Sequence, residues 1–257
     1  MRFCVIDTEG SGLFDFTQPA DAPGQPRLAE LAMILLKDDL SIEEEYRALV
    51  KPDGWEMHPA ATAINGLTTE QLLAEGKPIS EVLDVYQQAI KEGFAIAAFN
   101  AQFDTKTMRA EFRRAGRDDL FTVTKNVCVM RKSQGIIPRP DGKKSWPKLE
   151  HCCEFLNLPK VGLHGALSDA YRALDVLRYL HSRGADLTPE VHYAKRRQED
   201  WPKPDVEIPK KEWDARETNS GGSARARSDA MPPLSDAPVS RPRSAALPPR
   251  AEDRIPE

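Results

Sequence analysis

Two acidic residues close the first apolar run of the chain, and their spacing suits the binding of metal ions. Asp7 and Glu9 follow the apolar residues 3–6, so residues 7–9 are predicted to be the exit of a buried β-strand. Alternate side chains of a strand lie on one face, and both carboxylates are therefore expected to point the same way. Carboxylate oxygens so placed are typical ligands of hard divalent cations.

Two more acids and a histidine occupy comparable positions. An apolar run at 94–99 is followed by the short segment 100–103 and then by Asp104, after which a helical pattern begins. Asp169 opens a stretch in which apolar residues recur at the three-and-four spacing of a buried helical face, with His164 just ahead of it. Four carboxylates in one cleft would repel each other, so the arrangement predicts that cations neutralise them.

The chain repeats these short patterns elsewhere without the same surroundings. Asp205 and Glu207 repeat the D-x-E spacing, but they lie among prolines with no strand before them. His181 and Asp186 repeat the histidine-to-acid spacing, but Asp186 lies past the expected end of its helix. For any single acid, a solvated surface charge is the ordinary interpretation. The positions at strand and helix ends, more than the spacing, therefore predict a site.

Three motifs resemble those of the DEDDh 3′–5′ exonucleases, the DnaQ-like group, over residues 1–182. They are FCVIDTEGSGL at 3–13, NAQFD at 100–104 and HGALSDA at 164–170. The segment HPAATAINGLT at 58–68 is similar to the part of the family that approaches the 3′ end of the substrate. The chain is thus similar to proofreading exonucleases of the bacterial polymerase III epsilon type. The resemblance implies an α/β class with a ribonuclease H-like mixed sheet flanked by helices.

The resemblance also implies a chemistry and roles for individual residues. Two divalent cations, Mg²⁺ or Mn²⁺, would promote hydrolysis of the terminal phosphodiester bond. Asp7 would bridge both ions, Glu9 and Asp169 would complete the first site, and Asp104 would act through the second. His164 would be the general base, since an imidazole with a pKa of about 6.5 accepts a proton near neutral pH. The expected substrate-binding residues are Thr8, Gly12, Leu13, Ile64, Asn65, Asn100 and Phe103.

Apolar periodicity predicts a mixed order of strands and helices. Three consecutive strands, plausibly antiparallel, are expected at 2–6, 28–37 and 43–50, then helices at 69–75 and 79–92. The later elements are expected at 95–99 (strand), 104–115 (helix), 122–129 (extended), 147–157 (helix) and 168–183 (helix). The loop 14–26 either folds over the edge of the active site or is a mobile surface insertion.

Composition predicts one folded domain with an appendage. We expect an exonuclease domain at 1–184, a short helical extension at 185–200 and a disordered tail at 201–257. The tail holds 10 of the 21 prolines and shows almost no apolar periodicity. Recruitment of a replication or repair protein is one interpretation of the tail, and a passive extension is the other.

Charge and hydropathy bear on partners and location. The chain has a net charge of −4, yet residues 105–148 hold twelve Lys or Arg against four acids. This excess predicts contacts with a nucleic acid backbone, although each residue alone could belong to a solvated helical face. No apolar stretch reaches the roughly 20 residues that span a bilayer, and no secretory signal pattern opens the chain. We expect a cytoplasmic protein whose four cysteines are reduced packing residues.

Three functions are compatible with these patterns. The first, which the sequence favours, is a metal-dependent 3′–5′ exonuclease on single-stranded or frayed DNA ends. The second is an exoribonuclease of the same chemistry that trims RNA or short oligoribonucleotides. The third is a non-catalytic module that binds nucleic acid or a protein, which the presence of all five catalytic-type residues disfavours.

Overall fold

A five-stranded sheet organises the part of the chain that the structure describes. The computed structural model describes residues 1–15, 17–143, 145–158 and 165–191. The strands are β1 (Phe3–Gly10), β2 (Leu28–Leu36), β3 (Ile42–Leu49), β4 (Ala95–Ala98) and β5 (Asn126–Cys128). They lie in the order β3-β2-β1-β4-β5. β1, β2 and β3 pair antiparallel, whereas β4 is parallel to β1 and β5 to β4, which confirms the predicted mixed sheet.

Helices cover both faces of this sheet. In the described residues they are α1 (Pro59–Asn65), α2 (Thr69–Glu75), α3 (Ile79–Lys91), α4 (Ala101–Arg114), α5 (Val129–Ser133), α6 (Leu149–Phe155) and α7 (Ala166–Ser182). The sequence did not predict α1 or α5, which are seven and five residues long, and it expected residue 129, the first of α5, to be extended. Local signals do bound α1: Pro59 occupies its first turn and Gly66 ends it with a φ of 73°.

Strand β1 is buried on both sides, and its two faces meet different helices. Phe3 and Val5 join the core cluster that contains α7, whereas Cys4 and Ile6 join the cluster that contains α3 and α4. Since side chains alternate along a strand, Asp7 and Glu9 continue the α7 face and Thr8 continues the α4 face. The order of residues in β1 therefore decides which helix each polar side chain meets.

The two helices that carry the other acids begin slightly earlier than the sequence predicted. α4 begins at Ala101 and not at 104, and α7 begins at Ala166 and not at 168. As a result, Asp104 and Asp169 both lie in the first turn of their helix. A carboxylate in this position is stabilised by the unpaired N–H groups of the helix start.

The loop that follows β1 lies against α4. Arg114 on α4 donates to the Ala20 carbonyl at 2.8 Å, and Gln25 donates to the carbonyls of Asp15 and Pro19 at 2.7 and 3.1 Å. Phe14 packs edge-to-face on Phe103 of α4, with ring centroids 5.8 Å apart. Apart from residue 16, which lies outside the described residues, this segment is held by defined contacts, which favours the folded interpretation of the loop.

The chain after α7 differs in part from the expected helical extension. Residues 185–191 form no helix, and Glu190 instead bridges Asn126 antiparallel. Pro189 contributes to this, because a proline disfavours helical backbone in the residue before it. The remainder of the expected extension and the tail at 201–257 lie outside the described residues.

Two further expectations concern the cysteines and the membrane. Cys4, Cys128, Cys152 and Cys153 are all free and buried, which confirms that they are packing residues. Within the described ranges, no helix combines the length and apolarity needed to span a bilayer.

Candidate active site

Three predicted acids meet on the α7 face of β1. Ligand oxygens of Asp7, Glu9 and Asp169 all lie within 4.8 Å of one another. The first two come from alternate positions of β1, and the third comes from the first turn of α7. Arg172, one helical turn after Asp169 and 6% exposed, donates to the Asp169 carboxylate. The site thus gathers three carboxyl groups around one point, and the carboxylate of Asp169 also contacts the buried guanidinium of Arg172.

The fourth acid lies on the other face of the same strand end. Asp104 is 3% exposed, and its Oδ1 accepts hydrogen bonds from the backbone N–H of Thr8 at 3.0 Å and from the Thr8 hydroxyl at 2.8 Å. The threonine between Asp7 and Glu9 therefore fixes Asp104 beside them. Thr8 was expected to contact substrate, but in this structure its side chain is committed to positioning Asp104.

Mutual repulsion and burial raise the pKa values of the cluster. Burial raises the pKa of Asp7 well above its ordinary value, and the charges of Asp104, Glu9 and Asp169 raise it further. Burial raises the pKa of Glu9 to about 7, against the lowering effect of a hydrogen bond with Asn65. Burial also raises the pKa of Asp104 to about 7, despite the Thr8 hydrogen bonds, which lower it. Without counter-charge, the cluster holds protons near neutral pH.

This donor set fits hard divalent cations. The three clustered groups are carboxylates, which Mg²⁺ and Mn²⁺ accept, whereas zinc sites usually include sulfur or nitrogen ligands. The raised pKa values of Asp7 and Glu9 also indicate a cation site. A cation bound between these carboxylates would displace their protons and offset their mutual repulsion. Asp7, Glu9 and Asp169 would hold such an ion directly, and Asp104 lies on the neighbouring face.

A fifth acid, Glu30, lies behind the cluster and was not predicted. It is 1% exposed on β2, directly opposite Glu9, and its charge raises the pKa values of both Asp7 and Glu9. Its Oε2 accepts the backbone N–H of Ala166 at 3.1 Å, and its Oε1 pairs with Arg47.

Glu30 therefore acts as a cap for α7. Gly165, the residue before that helix, offers no side-chain cap, so the carboxylate of a distant strand satisfies the first-turn N–H. The helix start that carries Asp169 is thereby tied to β2. One sequence signal could have revealed this role: Glu30 is the only ionisable residue in the apolar run 28–36.

The segment before and within α1 forms one wall beside the exit of β1. The His58 backbone N–H donates to the Ser11 carbonyl at 2.8 Å, and the Asn65 amide donates to the Gly10 carbonyl at 3.3 Å. Two apolar side chains of this region are exposed to solvent, Leu13 at 71% and Ile64 at 53%. Asn65 thus lies beside Glu9, with which it forms a hydrogen bond, whereas Leu13 and Ile64 are exposed on the segment after β1 and on α1.

The other predicted binding residues lie at the start of α4 and in the β1 exit loop. Asn100 is exposed at the start of α4 and caps the helix through its carbonyl, which accepts the Phe103 N–H at 2.8 Å. Phe103 is half-buried against Phe14, so only part of its ring faces outward. A side chain at Gly12 would contact His58 and Pro26 at 3.7–3.9 Å. His164, the predicted base, lies outside the described residues.

The predicted basic surface is smaller than its sequence suggested. Arg109 and Arg113 of α4 both donate to the Asp119 carboxylate, at 2.9 and 2.8 Å. Arg114 forms an ion pair with the buried Glu111 at 2.6 Å, and the same carboxylate forms an ion pair with Arg27 at 2.9 Å. These arginines hold α4 to its neighbours, and their charges are partly neutralised within the protein.

Comparison with known proteins is consistent with this geometry. The model of the RNase T family, described as Exonuclease, matches residues 4–177. No curated protein sequence matches the chain.

Several solved structures share the fold. E. coli Exonuclease I in complex with a dT13 oligonucleotide is 20% identical with a TM-score of 0.59, over 71% of this chain and 41% of that one. Its zinc-bound complex with single-stranded DNA is 22% identical with a TM-score of 0.58, again over 71% and 41%. The nuclease domain of 3′hExo, a DEDDh family member bound to rAMP, is 16% identical with a TM-score of 0.60, over 74% and 96%. The chain spans about two fifths of the length of E. coli Exonuclease I.

Proposed function

The chain belongs to the RNase T family of exonucleases. On that premise we propose that it is a 3′–5′ exonuclease of the DEDD type that degrades single-stranded or frayed DNA ends by a two-metal mechanism. The observation that carries the proposal is the cluster of Asp7, Glu9 and Asp169, whose ligand oxygens lie within 4.8 Å of one another. Asp104 is fixed beside this cluster by Thr8.

Two Mg²⁺ or Mn²⁺ ions suit this arrangement of acids. Bound there, such ions would lower the pKa of the attacking water and stabilise the leaving 3′ oxygen. Asp7 would contact both ions, Glu9 and Asp169 would hold the first, and Asp104 would face the second. The rigid backbone of β1 and the Thr8 hydrogen bonds would keep these four carboxylates in register with the scissile phosphate.

His164 is proposed as the general base. It precedes α7 by two residues, and the start of α7 is tied to the sheet by the hydrogen bond between Glu30 and the Ala166 N–H. An imidazole with a pKa of about 6.5 can take the proton of the attacking water near neutral pH. The same segment carries Asp169, so one anchored helix start would place both the base and a metal ligand.

DNA is the proposed substrate, and the rim of the site supports a binding mode that reads no sequence. Leu13, three residues after β1, and Ile64, next to Asn65 on α1, present exposed apolar surface, and Phe103 is half-buried. Apolar and aromatic side chains stack on any base, which suits trimming of strands of any sequence. Structures of E. coli Exonuclease I with dT13 and dA16 oligonucleotides share the fold of this chain. RNA is the second candidate, because the fold is also shared by the 3′hExo domain bound to rAMP.

A digestion assay tests the proposal. Matched DNA and RNA strands, labelled at either end, are incubated with the protein and with EDTA or Mg²⁺. We expect stepwise shortening from the 3′ end of DNA, dependent on Mg²⁺ and lost in Asp7→Asn and His164→Ala. His181→Ala and Asp186→Asn are matched controls, since these residues repeat the histidine-to-acid spacing outside the cluster.

The outcomes separate the three functions. RNA shortened much faster than DNA would move the assignment to an exoribonuclease. Specific binding of strands without digestion of either, with Mg²⁺ or Mn²⁺ present, would favour a non-catalytic module. Loss of activity in the control variants as well would point to unfolding, which the unfolding midpoint of each variant checks.

We also propose that residues 1–184 are the catalytic unit and that the proline-rich tail is dispensable for chemistry. A protein lacking residues 201–257 is then expected to retain turnover on short oligonucleotides within about twofold, because a tail of this composition contributes little to the folded core. A collapse of turnover in the truncated protein, with the unfolding midpoint unchanged, would assign the tail to the catalytic unit. Loss of a replication or repair partner in pull-down experiments would instead identify the tail as a recruiting segment.

A further inference from the structure

The segment after β5 is strongly basic in sequence. Residues 131–148 contain six Lys or Arg and one acid, a formal charge of +5 in a chain whose net charge is −4. The α4 arginines, in contrast, donate to acids such as Asp119 and Glu111. Arg131 donates to a neutral group, the side-chain oxygen of Gln102 at 3.2 Å. Arg131 can therefore offer its positive charge to a phosphate, whereas the α4 arginines already contact carboxylates.

Arg131 lies at the same edge of the sheet as the acidic cluster. β1, β4 and β5 are parallel, so their carboxyl ends meet at one edge, and α4 and α5 begin directly after β4 and β5. Gln102, which Arg131 contacts, is two residues from Asp104. One hydrogen bond thus links Arg131 to the segment that carries a catalytic acid.

Trp146 lies against Arg131 and exposes much of its ring. The Arg131 guanidinium carbon is 5.1 Å from the centre of the Trp146 ring, a cation–π contact, and the Trp146 side chain is 46% exposed. An exposed indole beside a cation is the combination that single-strand-binding proteins use, since every base offers a face for stacking and every nucleotide offers a phosphate.

The loop that presents Trp146 is held in place before any ligand binds. Arg139 donates to the Trp146 carbonyl at 2.7 Å and to both carboxylate oxygens of Asp141, at 2.8 and 2.6 Å. The backbone N–H of Lys143 donates to the same carboxylate at 3.1 Å. A large aromatic side chain on a loop with fixed ends loses little conformational freedom on binding.

We propose that Arg131 and Trp146 form a second binding position for the strand under degradation, upstream of its 3′-terminal nucleotides. A base of that strand stacks on the Trp146 indole while a neighbouring phosphate contacts the Arg131 guanidinium. The inference rests on the proposed exonuclease function, and it adds that the protein prefers strands long enough to reach this platform. Since stacking and phosphate contacts are common to both polymers, the position serves DNA or RNA.

A comparison of substrate lengths tests the platform in the full-length protein. kcat/KM is measured with Mg²⁺ on a trinucleotide and on a strand of about 12 nucleotides, a length that exceeds a minimal single-strand site. Trp146→Ala is expected to lower the ratio of long-strand to trinucleotide kcat/KM about tenfold. Arg131→Gln is expected to lower the same ratio and to reduce the slope of log KM against log salt on the long strand by about 0.7.

Two variants serve as matched controls. Arg113→Ala removes an arginine of α4 that is 44% exposed, and Phe155→Ala removes an aromatic side chain that is 41% exposed and packs on Tyr179. Neither is expected to change the length ratio. Trp146→Phe keeps an aromatic face and is expected to restore most of the ratio, which a general loss of folding would not do.

The outcomes distinguish this inference from the proposed function. If the unchanged protein digests neither substrate, the proposed exonuclease function itself is wrong. If it digests both, but the Trp146 and Arg131 variants keep the length ratio of the unchanged protein, only the platform is wrong. That second result would also be expected if this surface served a protein partner.

Discussion

The two faces of β1 near its exit hold acids in opposite ways. On the α7 face, Asp7, Glu9 and Asp169 approach each other within 4.8 Å, and their charges repel. On the α4 face, Asp104 is held by two hydrogen bonds from Thr8, although its charge also acts on Asp7. The α7 face thus holds repelling charges that a cation can neutralise, whereas the α4 face holds its acid in a fixed position. Substitutions on the two faces should therefore impair activity in different ways.

The largest effect is expected on the repulsive face. Asp7→Asn should lower kcat by about 10³-fold, since metal-ion catalysis supplies several kcal/mol of transition-state stabilisation and this residue would contact both ions. It should also raise the unfolding midpoint of the metal-free protein at pH 8, because one repelling charge is gone. Calorimetry without Mg²⁺ measures this unfolding midpoint. Calorimetry with Mg²⁺ measures how far the ion raises the midpoint, and the rise should be smaller in the variant than in the unchanged protein. A variant that lost activity and also lost metal-free stability would contradict the picture of stored repulsion.

A smaller effect is expected behind that face, at the cap of α7. Glu30→Ala should lower activity about 10–100-fold, as for other residues that orient metal ligands, and should raise the Mg²⁺ concentration needed for half-maximal activity. Glu30→Gln keeps an acceptor for the Ala166 N–H and should recover part of both. Glu44→Gln, at an exposed position of β3, is the matched control. An unchanged Mg²⁺ requirement in Glu30→Ala would show that the cap does not position Asp169.

On the fixed face, the expected effect is a displacement of the pH profile. Thr8→Val removes one of the hydrogen bonds that lower the pKa of Asp104, so that pKa should rise above about 7. Protons then compete with cations up to a higher pH, and the acidic limb of the rate profile should move to higher pH. We expect a loss of about tenfold at pH 7, from a hydrogen bond to a charged group, that recovers toward pH 9. A loss of equal size at both pH values would argue for a different role of Thr8.

The smallest effect concerns stability. The pKa values of Glu9 and Asp104 are about 7 in the folded chain, above the ordinary values of 4.5 and 3.8. Below pH 4 both states are protonated and nothing is lost. As pH rises from about 4 to about 7, only the unfolded chain ionises, so the metal-free protein should lose stability and its Tm should fall by several degrees or more.

A thermal scan across pH, with EDTA or with Mg²⁺, checks this loss. Glu9→Gln removes one titrating group, so the difference between its curve and that of the unchanged protein isolates the contribution of Glu9. Mg²⁺ should restore the midpoint above pH 7 and have little effect at pH 5. Identical pH dependence in the variant and the unchanged protein would contradict the raised pKa of Glu9.

Much of the fold and the placement of the acids followed from local pattern. Alternation along β1 was enough to put Asp7 and Glu9 on one face, and periodicity was enough to place Asp169 at the start of α7. The role of Glu30 did not follow, because its contact with Ala166 joins residues 136 positions apart. The pairing of the α4 arginines was missed for the same reason: counting charges along the sequence cannot tell which of them meet a partner in space.

The position of Glu30 directly opposite Glu9 makes the register of β1 and β2 a condition for activity. A slip of one residue would turn Glu30 to the opposite side of the sheet, away from α7. The helix start would then lose its anchor while the apolar run 28–36 could still be buried, since β2 is flanked by core on both sides. Only the native register of β1 and β2 is therefore expected to give both a buried core and an anchored start of α7, and hence an active nuclease.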